Sequence, residues 1–316
     1  MSNFQTGVLI TFIVFILIGV LIFSGIIPGA GSSKSGYGGS VEVWGTVPAA
    51  KIRPLIDKLN KDNENLFTVV YIEKKKKGFD NALVEALASG SGPDLFMFSN
   101  DNIVKDKDKV SVIPNTFVSA RTLKETFIEE GELYFTKDGT LAIPFLVDPL
   151  VMYWNRDMLS SAGIAEVPKY WDEFLTLSPI ITKQNSASNI SKATIAMGEF
   201  SNINNAKDIL SLIMLQAGNR IVERGGDDKL SVSFKSGENS GDKYSNAESV
   251  LRFYTGFSNS ANTSYSWNSS LPNSRDMFLA GDLAIYFGYA SELQSIITKN
   301  PHLNFDVASV PQARDA

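Results

Sequence analysis

The sequence predicts an α/β protein of two lobes, and three observations predict it. The first is length: 316 residues exceed what one hydrophobic core usually organises, so two cores are expected rather than one. The second is the alternation of short apolar strands with segments of helical periodicity, which specifies a sheet with helices on both faces. The third is the stretch 141–174, LAIPFLVDPLVMYWNRDMLSSAGIAEVPKYWDEF, where two apolar runs meet at Asp148-Pro149. Proline fixes its own φ and holds the residue before it extended. The connector therefore predicts a strand passing from one lobe to the other, not a tight reversal. Both runs, 141–147 and 150–154, are too uniformly apolar for a half-exposed sheet and are expected as strands covered on both faces.

Composition narrows the function classes. Hydrophobic content of 44% and charged content of 20% are ordinary for a globular chain, and a net charge of -5 provides no clustered basic surface for nucleic acid. The absence of cysteine removes disulfides, thiol catalysis, cysteine metal sites and a lipid-modified cysteine, while leaving the redox compartment open. Nothing in the pattern requires a metal or a cofactor. His302, the only histidine, stands beside Pro301 in a polar turn without a Ser or acidic neighbour at catalytic spacing, and reads as a surface residue. The SGSGPD turn at 89–94 lacks the Lys-Ser/Thr end of a phosphate loop and precedes a strand, so it is a turn.

Residues 7–27, GVLITFIVFILIGVLIFSGII, carry no charge. Twenty such residues in a helix span about 30 Å, the hydrocarbon thickness of a bilayer. The run is long for a cleaved signal and no clean small-x-small site follows it, so 1–28 is expected as a retained single-pass anchor. No Lys or Arg precedes it and Lys34 follows, which by charge alone slightly favours the wrong side for an exported body. The fold argument below sets the body on the extracytoplasmic side of the cell membrane. Residues 29–40, rich in Gly and Ser, form a flexible linker.

The first lobe is expected over 41–147. Val41 to Gly45 alternates like a strand, and Ile52, Leu55, Ile56 and Leu59 recur at helical spacing, with Pro54 displacing or kinking the first turn. Leu66 to Ile72 is a β-branched strand. A helix bearing Phe79, Leu83, Ala86 and Leu87 stops at Gly90, and Leu95 to Phe98 completes a βαβ unit with parallel strands. Lys74 to Lys77 reads as a solvated charge run, with contact to anionic headgroups as the alternative. The second lobe is expected over 148–310. Asn155 caps a helix over Arg156 to Ala162 that Gly163 ends. Strands follow at 194–197, 283–287 and 305–310, and helices at 206–217, 246–257, 275–280 and 290–298. No internal repeat is visible.

Three patches, ALASGSGPDLFMF at 86–98, the crossing at 142–174 with its YWNRDML, AG, P and WDEF pieces, and FLAGDLAIYFG at 278–288, resemble the extracellular solute-binding proteins of family 1, the group that includes maltose-binding protein. Coverage runs from Val41 to about Pro311 and is looser between Ile180 and Asn273. The resemblance implies a two-lobe periplasmic-binding-protein-like fold of type II. It also implies a small-molecule ligand held between lobes that close about hinge strands, and delivery to the permease subunits of an ABC importer. Two departures stand out. The family usually offers a lipidated Cys or a cleavable signal where this chain has a plain apolar helix. The family's chain also crosses back to the first lobe after the strand matched by 305–310, so that 311–316 reads as the start of a second crossover. A fragment is expected, because an unpaired edge and an uncovered sheet face would expose apolar surface.

A sugar site combines flat apolar faces with a few fixed polar groups, and strand ends at the cleft supply them. Trp44, at the end of the first strand, fits stacking or lobe-core packing. Ser99 and Asn100 follow the strand 95–98, to bond hydroxyls or to cap the next segment. Asp148 lies where the similar maltose binder places an acidic ligand contact, against a rival role as a hinge-fixing acceptor. Glu199 and Phe200 follow a strand where the family often contacts ligand, or sit in a solvated loop. Tyr289 follows the third patch where relatives carry an aromatic platform. Trp267, in SYSWNSS, either covers a lobe or faces ligand, whereas Trp171 in WDEF reads as core. Tyr153 and Trp154 point to opposite faces of their strand, so at most one faces a cleft.

The function expected is a membrane-anchored binding protein for a carbohydrate or similar polar solute. Its rivals are a surface sensor or adhesin-like module without transport and an extracellular carbohydrate-active enzyme. The enzyme reading lacks a thiol, a promising histidine and a spaced carboxylate pair.

Overall fold

The computed structural model describes residues 38–64, 66–186, 189–224, 230–233 and 246–314. The expected membrane helix at 7–27 and the linker up to residue 37 lie outside this set. Among the described residues no helix is long and apolar enough to cross a membrane. The chain divides into two compact units between Pro144 and Phe145.

In the first unit, β1 (Gly39–Gly45) lies between β2 (Phe67–Glu73) and β3 (Leu95–Phe96), and both neighbours run parallel to it. Helix α1 (Ala49–Asp62) runs through Pro54, and α2 (Phe79–Ala88) is bracketed by Gly78 at φ +87° and Gly90 at φ +71°. These are left-handed conformations that glycine adopts without a Cβ penalty, so the Gly90 stop read from sequence acts as expected, and Gly78 opens the same helix. The packed centre is small: Trp44, Phe79 and Leu83, with Ile72, Ala86 and Phe96 against them. The helical stripe of α1 is only partly used, since Ile52 is buried while Leu55 and Leu59 are exposed. The rest of the unit consists of short pieces: α3 (Ile103–Asp106), α4 (Ala120–Thr126) with Ser119 accepting from the Thr122 amide, and a two-residue pair, β4 (Ile113–Pro114) with β5 (Gly139–Thr140).

One expected strand is absent. Residues 141–149 form no strand, and Phe145, Leu146 and Val147 are exposed by 51%, 69% and 62%. A continuous apolar run forms a strand only where a neighbouring edge takes its amides and carbonyls, and Pro144 removes one donor from the run. The second run behaves as expected and forms β6 (Leu150–Asn155).

The second unit is built on a mixed sheet. Its chain order is β6, α5 (Arg156–Ser161), α6 (Glu173–Ile181), β7 (Lys183–Gln184), β8 (Ile190–Ile195), α7 (Ala206–Gln216), β9 (Val222–Arg224), β10 (Leu230–Val232), α8 (Asn246–Gly256), α9 (Ser274–Leu279), β11 (Leu283–Tyr289), α10 (Leu293–Lys299) and β12 (Phe305–Ala308). The strand order is β12-β6-β11-β8-β7, with β9 and β10 paired separately. Strand β11 is parallel to β8 and antiparallel to β6, which is antiparallel to β12. The central strand is buried on both faces from Leu283 to Gly288, which explains its unbroken apolar sequence. Met152, Tyr153, Phe174 and Phe278 belong to the same core and are fully buried, each contributing about 1.5–3 kcal/mol by burial. Asn155 caps α5 through the Met158 amide at 3.0 Å, and Gly163 ends that segment at φ +73°. Trp171 is buried, and its Nε1-H donates to Gln216 Oε1 at 2.6 Å.

Candidate functional site

Sheet register brings several candidates of the second unit to one edge. Ile195 pairs with Ile285 in parallel, and Leu150 lies opposite Tyr289 in the antiparallel pair. The ends of β8 and β11 and the start of β6 therefore meet at the same end of the sheet. Asp148, the Glu199-Phe200 loop and Tyr289 all emerge there.

Tyr289 is fixed on several sides. Its hydroxyl donates to Asp208 Oδ2 at 3.0 Å, its amide donates to Glu292 Oε1 at 3.0 Å, and its carbonyl accepts from the Tyr153 hydroxyl at 2.8 Å. Glu292 also accepts from the Tyr286 hydroxyl at 2.9 Å, and Arg275 Nε lies 3.1 Å from it. Burial, reinforced by the carboxylates of Glu292 and Asp148, pushes the Tyr153 phenol up to about 12. Gly288 makes this packing possible. A Cβ there would stand 2.6 Å from the Tyr286 ring and 2.9 Å from Glu292 Oε1.

Asp148 is exposed, and its carboxylate accepts from the Ser291 amide at 2.8 Å and the Ser291 hydroxyl at 2.7 Å. Next to it the Ala290 amide donates to the Pro149 carbonyl at 3.0 Å. The carboxylate thus faces the single 3-10 turn Ala290–Glu292 that leads into α10, where a negative charge is favoured by the free amides. Glu199 is half-buried, and its carbonyl accepts from the Tyr254 hydroxyl at 2.8 Å. Phe200 is 70% exposed and borders an apolar cavity of about 490 Å³ with Leu210, Met214 and Leu251. The loop leaves β8 through Gly198 at φ +98°, where a Cβ would stand 2.7 Å from the backbone of Ser258.

The remaining candidates have different surroundings. Trp267 is fully buried in the second unit, with Nε1-H donating to Asn202 Oδ1 at 3.1 Å, so of its two readings the structure places it in the one that covers the lobe. Within the first unit, Trp44 is 6% exposed, its Nε1-H donates to Glu42 Oε1 at 2.5 Å, and Lys74 Nζ stands 3.4 Å from its ring centroid. Lys74 is therefore engaged by a π face rather than only solvated. Ser99 and Asn100 are exposed beyond β3. The Ser99 hydroxyl donates to Asn100 Oδ1 at 3.2 Å, and the Ser99 carbonyl, not its side chain, opens the following turn.

Two residues at the second unit's edge were missed from sequence. Asp208 stands in the first turn of α7, and Asn205, at φ +59°, donates from Nδ2 to the Phe287 carbonyl at 3.3 Å. The available signal was positional: polar groups at a helix start that follows a strand end collect at the same sheet edge. The edge offers carboxylate acceptors beside an aromatic ring, an arrangement suited to hydroxyl donors and ring C-H faces. Among the described residues no group of acidic or histidine side chains could hold a metal ion.

Residues 54–316 match the model of the bacterial extracellular solute-binding protein family. A search of curated proteins gives no match. Among solved structures, the chain is similar to the cyclic α-maltosyl-1,6-maltose binding protein from Arthrobacter globiformis, with a TM-score of 0.68 and 16% identity over 88% of this chain and 66% of that one. It is also similar to the GacH receptor of Streptomyces glaucescens, solved unliganded and with acarbose, with a TM-score of 0.62 and 16% identity over 88% and 68%. A third structure, CpMnBP1 with mannotriose bound, gives a TM-score of 0.56 and 20% identity over 87% and 68%. The chain spans about two thirds of each of them.

Proposed function

Since the chain belongs to the bacterial extracellular solute-binding proteins, a family of binding proteins and not of enzymes, we propose that it captures a neutral carbohydrate, an oligosaccharide, on the extracytoplasmic side of the cell membrane. In this reading it passes the sugar to the permease subunits of an ABC importer, and residues 7–27 tether it to the membrane. The observation that carries the ligand class is that Asp148, the Glu199-Phe200 loop and Tyr289 emerge at the same end of the second unit's sheet. Acceptors beside an aromatic ring suit a polyol, and the structures named above were solved as binders of such molecules. Within the first unit the exposed Ser99 and Asn100 are proposed as hydroxyl contacts, and Trp44, 6% exposed with Lys74 Nζ 3.4 Å from its ring centroid, is proposed to pack its own unit. Phe200 is proposed as a second apolar surface, and Trp267 supports the fold from within.

Thermal unfolding in the presence of mannotriose, acarbose, cyclic maltosyl-maltose, single amino acids, peptides and phosphate tests this. A ligand at one hundred times its Kd stabilises by about 2.7 kcal/mol, so a carbohydrate is expected to raise the melting temperature in a saturable way while amino acids and phosphate do not. Asp148→Ala is expected to weaken that carbohydrate by about tenfold, the value of one charge-assisted hydrogen bond. The reading fails if only a non-carbohydrate stabilises the protein.

A further inference from the structure

We infer that the apolar cavity beside Phe200 takes an uncharged aryl or alkyl group, and that the solute is a glycoside bearing such a group rather than a bare sugar. The attachment to a sugar rests on the carbohydrate reading above; the cavity does not. Its main wall is one face of a helix. Lys207, Leu210, Ser211 and Met214 recur at i, i+3, i+4 and i+7 along α7 and all line the cavity, while Ile209 and Ile213 of the same helix belong to the core. Leu251 of α8 adds to the lining, and the space measures about 490 Å³. An apolar cavity of about 150 Å³ already holds a benzene ring, so this one has room for a ring and its linkage.

Charge and position choose the occupant. The two charged residues of the lining have partners: Glu248 bonds the Arg252 guanidinium at 2.7 Å, and Lys207 Nζ lies 3.7 Å from Asp208 Oδ1. A charged group would exchange its hydration for apolar walls, which is costly. An uncharged one gains about fourfold in affinity for each methylene buried, and Phe200, 70% exposed, offers it a ring face. Phe200 also belongs to the loop that leaves β8 at the sheet end where Asp148 and Tyr289 emerge. On α7, Lys207 at the cavity is followed by Asp208, whose Oδ2 accepts from the Tyr289 hydroxyl at 3.0 Å. The first turn of α7 thus borders both the cavity and that edge, and a sugar held at the edge has the cavity as its neighbour.

The test uses the full chain labelled with 13C-methyl methionine, with mannotriose, its phenyl glycoside and toluene as probes. Met214, 5% exposed and part of the cavity wall, reports an aromatic occupant through the ring-current shift of its methyl signal, which is assigned by its loss in Met214→Leu. Toluene and the phenyl glycoside are each expected to move that signal, and mannotriose to leave it in place. In calorimetry the phenyl glycoside is expected to bind about tenfold tighter than mannotriose. Leu251→Asp, at a position 43% exposed, sets a charge at the cavity and is expected to remove that advantage. A Met214 signal that neither aromatic probe moves, or equal affinities in the wild type, overturns the inference. So does a dimer in sedimentation that Leu251→Asp dissociates, since a second copy of the chain would then be the occupant. If toluene moves the signal and neither sugar binds, the carbohydrate reading fails and takes the glycoside with it, while the cavity stands as a site for an apolar group.

Discussion

Replacing Gly198 by Ala should destabilise the second unit by about 1–5 kcal/mol, and the sum has separable parts. Gly198 sits at φ +98°, where a side chain costs about 1–2 kcal/mol. The new Cβ would stand 2.7 Å from the Ser258 amide nitrogen and Cβ, and relieving such a clash against backbone costs about 1–3 kcal/mol. Against these, Ala reduces the freedom of the unfolded chain and returns about 0.4–1 kcal/mol. Gly163 provides the control: its φ is +73°, and a Cβ there would meet nothing within 4 Å. Gly163→Ala therefore carries the conformational cost alone, on the order of 1 kcal/mol or less once the unfolded-state gain is taken off. Urea unfolding of both variants, followed by far-UV circular dichroism and tryptophan emission, isolates the steric part as their difference. If Gly198→Ala loses no more stability than Gly163→Ala, the Ser258 contact does not constrain the Glu199-Phe200 loop and the reasoning is wrong.

Two further outcomes are expected. Stability should fall as pH rises from about 10 to about 12, because the unfolded chain releases the Tyr153 proton near its ordinary value while the folded protein retains it up to about 12. From this residue the loss is on the order of 2–3 kcal/mol, and Tyr153→Phe should flatten that part of the pH profile measured by urea midpoints. At the Asp148 clamp, Ser291→Ala removes the hydroxyl donor and keeps the amide, so it should cost about 0.5–1 kcal/mol, with Asp148→Ala costing more. A double-mutant cycle on urea midpoints checks the pair, and strictly additive losses would show that the two residues are not coupled.

Much of the second unit was legible because its signals are local. A cap, a positive-φ glycine and an unbroken apolar run each specify one structure at Asn155, Gly163 and 283–287. The run 141–147 misled because apolar continuity reports a wish for burial and not a partner strand, and only the partner can satisfy the backbone. Segment 100–140 gave little, since its helices and strands are a few residues long and no period can be counted over so short a span. At the candidate site, Tyr289 and Asp148 could be placed from their patches, but Asp208 could not. Its contact spans 81 residues of sequence and depends on α7 being pinned to β11 by Asn205, whose left-handed conformation has no reliable sequence mark. Trp267 shows the converse: a polar setting in sequence, SYSWNSS, surrounds an indole that is entirely buried.

The start of β6 has no slack. Asp148, Pro149 and Leu150 are each matched to a partner, Ser291 through the carboxylate, Ala290 through its amide and Tyr289 through the sheet register. A residue inserted between Asp148 and Leu150 could not be taken up as loop length and would have to break the clamp or slip the strand, turning Tyr153 and its neighbours to the wrong faces. The same insertion a few residues earlier, in the exposed and unpaired stretch 145–147, should be absorbed at little cost, since lengthening a flexible connection is entropically cheap. Tolerance to added chain length therefore changes from permissive to forbidden within a few residues of Asp148.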